Sequence, residues 1–73
     1  MPSIDMTATG ANIKQTMKSK RISISQMQKV FGFNTPQAIY KWFRGDAMPT
    51  IDNMVILAEI FDTTIDQLII VNK

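Results

Sequence analysis

Gln37, Lys41 and Arg44 are the residues of this chain best suited to recognition chemistry. At about 100° per residue they fall on one face of a helix, with Tyr40 at its edge. An amide can grip an adenine edge through two hydrogen bonds, and a cation can meet a guanine edge or a phosphate. On the opposite face Ile39, Trp42 and Phe43 recur at i, i+3, i+4, a pattern that wants a core. The other reading of the polar face is an ordinary solvated helix carrying one Gln and two cations. Local signals bound the helix to about 35–44. Thr35 is the predicted N-cap, because its hydroxyl can accept from a free N–H of the first turn. Pro36 then takes the first helical position, where its missing N–H costs nothing. Gly45 is the predicted stop.

Other chemistries lack their residues. The chain has no Cys and no His, so disulfides, Cys- or His-based zinc sites and His-dependent catalysis are excluded. The acids are scattered at helix starts and ends, with no paired carboxylates, no phosphate-cradling glycine loop and no nucleophile beside a base. No enzymatic activity, cofactor or metal is expected. Charge is segregated along the chain. Seven bases and no acid lie between Met6 and Gly45, whereas five acids and one base lie from Asp46 to Lys73. This acid-free stretch suggests a polyanionic partner. No apolar run approaches the ~20 residues of a membrane span, and residues 1–12 lack the basic and apolar regions of a signal peptide. A cytoplasmic location is expected.

With 73 residues, one domain is expected. Residues 1–8 read as an N-terminal arm and residues 9–73 as the domain. Thr9, helped by Asn12, is the predicted cap of a first helix reaching about Ser19, with Ile13 and Met17 facing inward. Ser23-Ile24-Ser25-Gln26 is a capping box opening a second helix. Its predicted apolar stripe is Ile24, Met27, Val30 and Phe31, and Gly32 ends it. Phe33 and Asn34 link it to the helix described above, in the order helix, glycine turn, helix. Thr50 is predicted to cap a fourth helix reaching about Asp62, with Ile51, Met54, Val55, Leu57, Ala58 and Phe61 as its stripe. Thr63 or Thr64 caps a fifth, with Thr64 to Gln67 as a second capping box. The run Leu68 to Val71 ends either in the monomer core, or as a tail pairing with the arm or with a second subunit.

These residues resemble the phage-repressor (Cro-like) helix-turn-helix family over roughly Gly10 to Ile70. The resemblance rests on Ser23, Met27 and Gly32, then Ile39, Trp42 to Gly45 and Pro49. It continues through Ile51-Asp52-Asn53, Leu57-Ala58, Phe61 and Asp66-Gln67-Leu68. Pro36 to Trp42 is similar to a Gram-positive bacterial subgroup. The chain departs from the family pattern in three places. Gly32 to Ile39 is one residue longer, Gln28 replaces a small packing residue, and Ile24 stands where a polar phosphate contact is common. The resemblance implies an all-α, five-helix, lambda-repressor-like domain, bacterial or phage-encoded. It also implies transcriptional control, most often repression, and a symmetric homodimer on a double-stranded DNA operator.

The expected site follows from face and resemblance together. Gln37 and Lys41 are placed at base edges, and Thr35 and Tyr40 at bases or phosphates, with Ala38 also on the DNA-binding surface. Arg44 is placed at the backbone, with Ser23, Ser25 and Lys29 anchoring phosphate from the second helix. The third helix, about 35–44, is expected in the major groove. The alternative is an antitoxin-like or adaptor module that uses the surface of the fourth and fifth helices to mask a protein partner.

Overall fold

Capping chemistry decides where each helix begins. In the computed structural model, residues 2–72 are described; Met1 of the expected arm and Lys73 of the expected domain lie outside them. The order is β1 (Ser3–Ile4), α1 (Met6–Ser19), α2 (Ile24–Phe31), α3 (Gln37–Arg44), α4 (Ile51–Ile60), α5 (Ile65–Leu68) and β2 (Val71–Asn72). The five expected helices are present and the fold is all-α. A minimal antiparallel pair, Ser3 with Asn72 and Ile4 with Val71, ties the two ends together.

The predicted cap of α1 is corrected. Asp5 caps it, its Oδ1 accepting from the Ala8 N–H at 2.9 Å. The helix therefore starts at Met6, inside the stretch read as an arm. Thr9 is buried within α1 and binds the tail instead. Its hydroxyl oxygen accepts from the Ile70 N–H at 2.9 Å, and the Asp5 N–H donates to the Ile70 carbonyl at 2.8 Å. Asn12 Nδ2 donates to the carbonyls of Gln67 and Leu68 at 2.9 and 3.0 Å. These carbonyls at the end of α5 have no helical partner of their own, so α1 supplies one.

The box on α2 forms as expected. Ser23 Oγ accepts from the Gln26 N–H at 3.0 Å, and Gln26 Oε1 accepts from the Ser23 N–H at 2.7 Å. Gly32 ends the helix at φ 71°. On α3 the N-cap is Pro36, at φ −84° and ψ 6°, with no side-chain cap bond, so Thr35 does not cap it. The Pro36 carbonyl accepts from the Tyr40 N–H at 3.0 Å, which is the first helical bond, and Thr35 lies one residue too far back to reach the first turn. Thr50 caps α4 as expected. Thr64 caps α5, but Gln67 Oε1 accepts from the Thr63 hydroxyl at 2.7 Å, leaving that capping box half-made.

The core gathers Ile13, Met17, Met27, Ile39, Trp42, Met54, Leu57, Ala58, Phe61 and Leu68. Leu68 thus completes the monomer interior. Three residues of the predicted stripes point outward instead: Val30, Ile51 (73 % exposed) and Val55 (51 % exposed). On α4 the buried positions Met54, Leu57, Ala58 and Phe61 already make a full i, i+3, i+4, i+7 face, and Val55 falls beside it. Ile51 sits in the first turn, where no other described residue covers it.

Two contacts orient α3. Phe31 and Phe33 stack with ring centres 5.4 Å apart, and both meet Trp42 edge-on, at 5.4 and 5.8 Å. Phe33, expected only as a link, is therefore a wedge between the turn and α3. On the other side, α1 rests on the backbone of α3. A Cβ at Gly10 would lie 2.0 Å from the Trp42 carbonyl oxygen and 2.8 Å from that of Phe43. Gly45, at φ 78°, would likewise drive a Cβ to 2.7 Å from the Thr7 Cα.

Gly10→Ala should therefore destabilise the domain by about 3 kcal/mol or more, since overpacking exceeds the ~1 kcal/mol that Ala gains over Gly in a helix. Urea midpoints measure this, with exposed Ala11→Gly as a control expected to lose about 1 kcal/mol. A Gly10→Ala protein as stable as the parent would contradict the close crossing of α1 and α3.

Candidate nucleic-acid interface

The amphipathic character of α3 survives in the folded chain. Ile39 and Trp42 are buried and Phe43 is half-buried, whereas Gln37, Lys41 and Arg44 are exposed. Tyr40 is 44 % exposed, its ring 6.3 Å from that of Phe43 and tilted against it. Burial of the apolar face holds the polar face outward, because turning the helix to hide Gln37 and Lys41 would strip Ile39 and Trp42 of their packing. Thr35 is exposed in the turn that leads into α3, and Ala38 is half-buried.

The α2 residues lie beside this face through the turn. Ser25 and Lys29 line an open hollow of about 370 Å³ together with Gln28, Gly32, Phe33 and Asn34. The hollow is a dent between α2 and the turn, polar on its α2 side. Gln28 reaches across it, its Nε2 donating to the Phe33 carbonyl at 3.5 Å. Ser23 spends its acceptor on the capping box, and its hydroxyl proton remains to donate.

Electrostatics favour an anion on this side. The five bases of α1 to α3, and Lys20 and Arg21 in the turn after α1, are all exposed. Among the described residues the acids leave these bases unpaired, and beyond the ~8 Å screening length of physiological salt they act on them little. Asp46 is the exception. Its Oδ2 accepts from Arg44 Nε at 2.9 Å, the one ion pair among the described residues. Both partners are more than half exposed, so the pair contributes about 0–1 kcal/mol and is open to exchange for a phosphate.

The expected site residues therefore fall in two neighbouring groups, α3 with its approach and α2 with the turn. Lys14 and Lys18 were not assigned to the site, yet they border Tyr40 and Arg44. Their i, i+4 spacing was the available signal, because it places both on one face of α1. No helix among the described residues is long and apolar enough to cross a membrane.

Comparison with known proteins agrees with this architecture. The model of a family described as helix-turn-helix matches residues 13–68, more than half of the chain and all of α2 to α5. No curated protein and no solved structure matched the chain.

Asp46→Asn tests the exchange at Arg44. Folding stability should stay within about 0.5 kcal/mol of the parent, as for an exposed substitution. Affinity for duplex DNA at low salt should rise roughly threefold, because Arg44 loses its intramolecular competitor. Fluorescence anisotropy with a labelled duplex reads the change, and weaker binding would count against Arg44 meeting the backbone.

Proposed function

Because the chain belongs to the Cro-like helix-turn-helix family of DNA-binding transcription regulators, we propose that it represses transcription by inserting α3 in the major groove of an operator. The observation that carries this reading is the split character of α3, with Gln37, Lys41 and Arg44 in solvent and Ile39 and Trp42 sealed behind them. Gln37 and Lys41 meet base edges. Thr35 and Tyr40 border the groove, and the Ala38 methyl is suited to a thymine methyl. Arg44 meets the backbone on one side, and Ser23, Ser25 and Lys29 meet it on the other. Contacts of the second kind set register without reading sequence. The helices α1 to α5 form the binding unit, and the stretch before α1 is joined to the tail by the β1–β2 pairing.

Two copies related by a twofold axis would reach half-sites about 34 Å apart, which one small domain needs for useful affinity. The exposed apolar residues Ile70 and Val71 of the tail and Ile51 and Val55 of α4 are the surface available for such a contact. Exposure of Ile51 and Val55 also favours a second reading, an adaptor whose α4 and α5 surface covers a protein partner. Salt separates the two. DNA affinity falls steeply with salt through counterion release, whereas an apolar partner contact does not.

The test begins with selection of bound duplexes from a random pool at near-physiological salt. Gln37→Ala should then cost about 1–3 kcal/mol on the selected site and little on a scrambled one. Equal losses on both would remove Gln37 from base readout. Lys29→Ala should weaken both duplexes alike and lower the salt slope by about 1. Sedimentation should show two chains on a palindromic site, and a single chain there would end the dimer proposal.

A further inference from the structure

Lys14 and Lys18, one turn apart on α1, are outside the DNA face proposed above. They rim a groove of about 270 Å³ that is otherwise lined by Met17, Ile24, Tyr40, Phe43 and Arg44. Its floor is apolar: Met17 is buried, and Ile24 and Phe43 are half-buried. Its rim is cationic, and none of the lining residues is an acid. Asp46 engages Arg44 from outside the groove, so Lys14 and Lys18 have no ion-pair partner among the described residues. Lys14 Nζ lies 5.9 Å from the centre of the Phe43 ring, at the limit of a cation–π contact, which holds its charge over the floor.

An occupant must satisfy both parts. A phosphodiester would meet the rim and leave Ile24 and Phe43 uncovered. A neutral hydrocarbon would fill the floor and leave two cations without a counter-charge. A flat ring carrying one carboxylate meets both. The groove falls just short of the roughly 300–1,000 Å³ of pockets for drug-sized ligands, which limits the occupant to about one ring. We infer that this groove between α1 and α3 binds a small aromatic carboxylate. Tyr40 and Arg44 belong to the proposed DNA face as well, so an occupied groove competes with duplex there. That consequence rests on the proposed placement of α3, whereas the binding site itself does not.

The test is an NMR titration of the DNA-free protein with three probes: benzoate, benzyl alcohol as its neutral counterpart, and acetate as the anion without a ring. Benzoate should shift backbone amides at Lys14, Met17, Lys18, Ile24, Tyr40 and Phe43, with about tenfold higher affinity than either other probe. Lys14→Gln/Lys18→Gln, at two exposed positions and with an unchanged thermal midpoint, should weaken benzoate about tenfold and leave benzyl alcohol unchanged. The inference fails if benzoate and acetate bind alike or if the shifts map elsewhere. It fails equally if the double variant loses duplex affinity while keeping benzoate affinity, which would assign both cations to phosphate contacts.

Discussion

The close crossing of α1 over the C-terminal half of α3 is the constraint on which the remaining geometry depends. At Gly10 the two helices touch backbone to backbone, with no room for a methyl group beside the Trp42 carbonyl. Gly45 repeats the contact one step further on, against Thr7. A helix held by side chains alone can rock on them, because long side chains have alternative rotamers. A helix held by carbonyls against a neighbouring backbone has no such freedom. The tilt of α3, and with it the direction in which Gln37 and Lys41 project, is set by two residues that have no side chain to present.

The aromatic wedge does the complementary work. Phe31, Phe33 and Trp42 fill the angle between α2 and α3 from the side opposite α1. Aromatic pairs of this kind add about 0.5–1.5 kcal/mol each beyond their burial. In a domain that buries only about 60 % of its unfolded surface, three such contacts are a substantial share of the margin. Phe33 turns inward between the turn and α3, leaving Asn34 and Thr35 exposed.

The same economy governs the ends. Asp5, Thr9 and Asn12 bind the backbone of residues 67–70, so a pair of two-residue strands is held by hydrogen bonds from a helix. Isolated two-stranded ribbons are marginal in water, and this one is attached to α1 at three points. The apolar tail is thereby used partly within the subunit: Leu68 seals the core, while Ile70 and Val71 keep part of their surface outside.

What the sequence determined is local. A serine three residues before a glutamine makes a capping box, a glycine after an apolar run stops a helix, and the 3.6-residue period of α3 divides core from solvent. Each depends only on neighbours in the chain, and each is found in the fold. The charge halves and the lack of Cys and His are also sequence properties, and they bear on function without reference to the fold. The tertiary structure decided whatever depends on a distant partner. Thr9 and Asn12 have the types and spacing of a cap, yet they serve residues some sixty positions away. Val30, Ile51 and Val55 look like core and lie outside, because a stripe records which residues prefer burial and not how wide a neighbour covers them. Gly10 carries no local signal at all within its helix. Its requirement comes from the Trp42 carbonyl, and only the folded chain brings that oxygen to it.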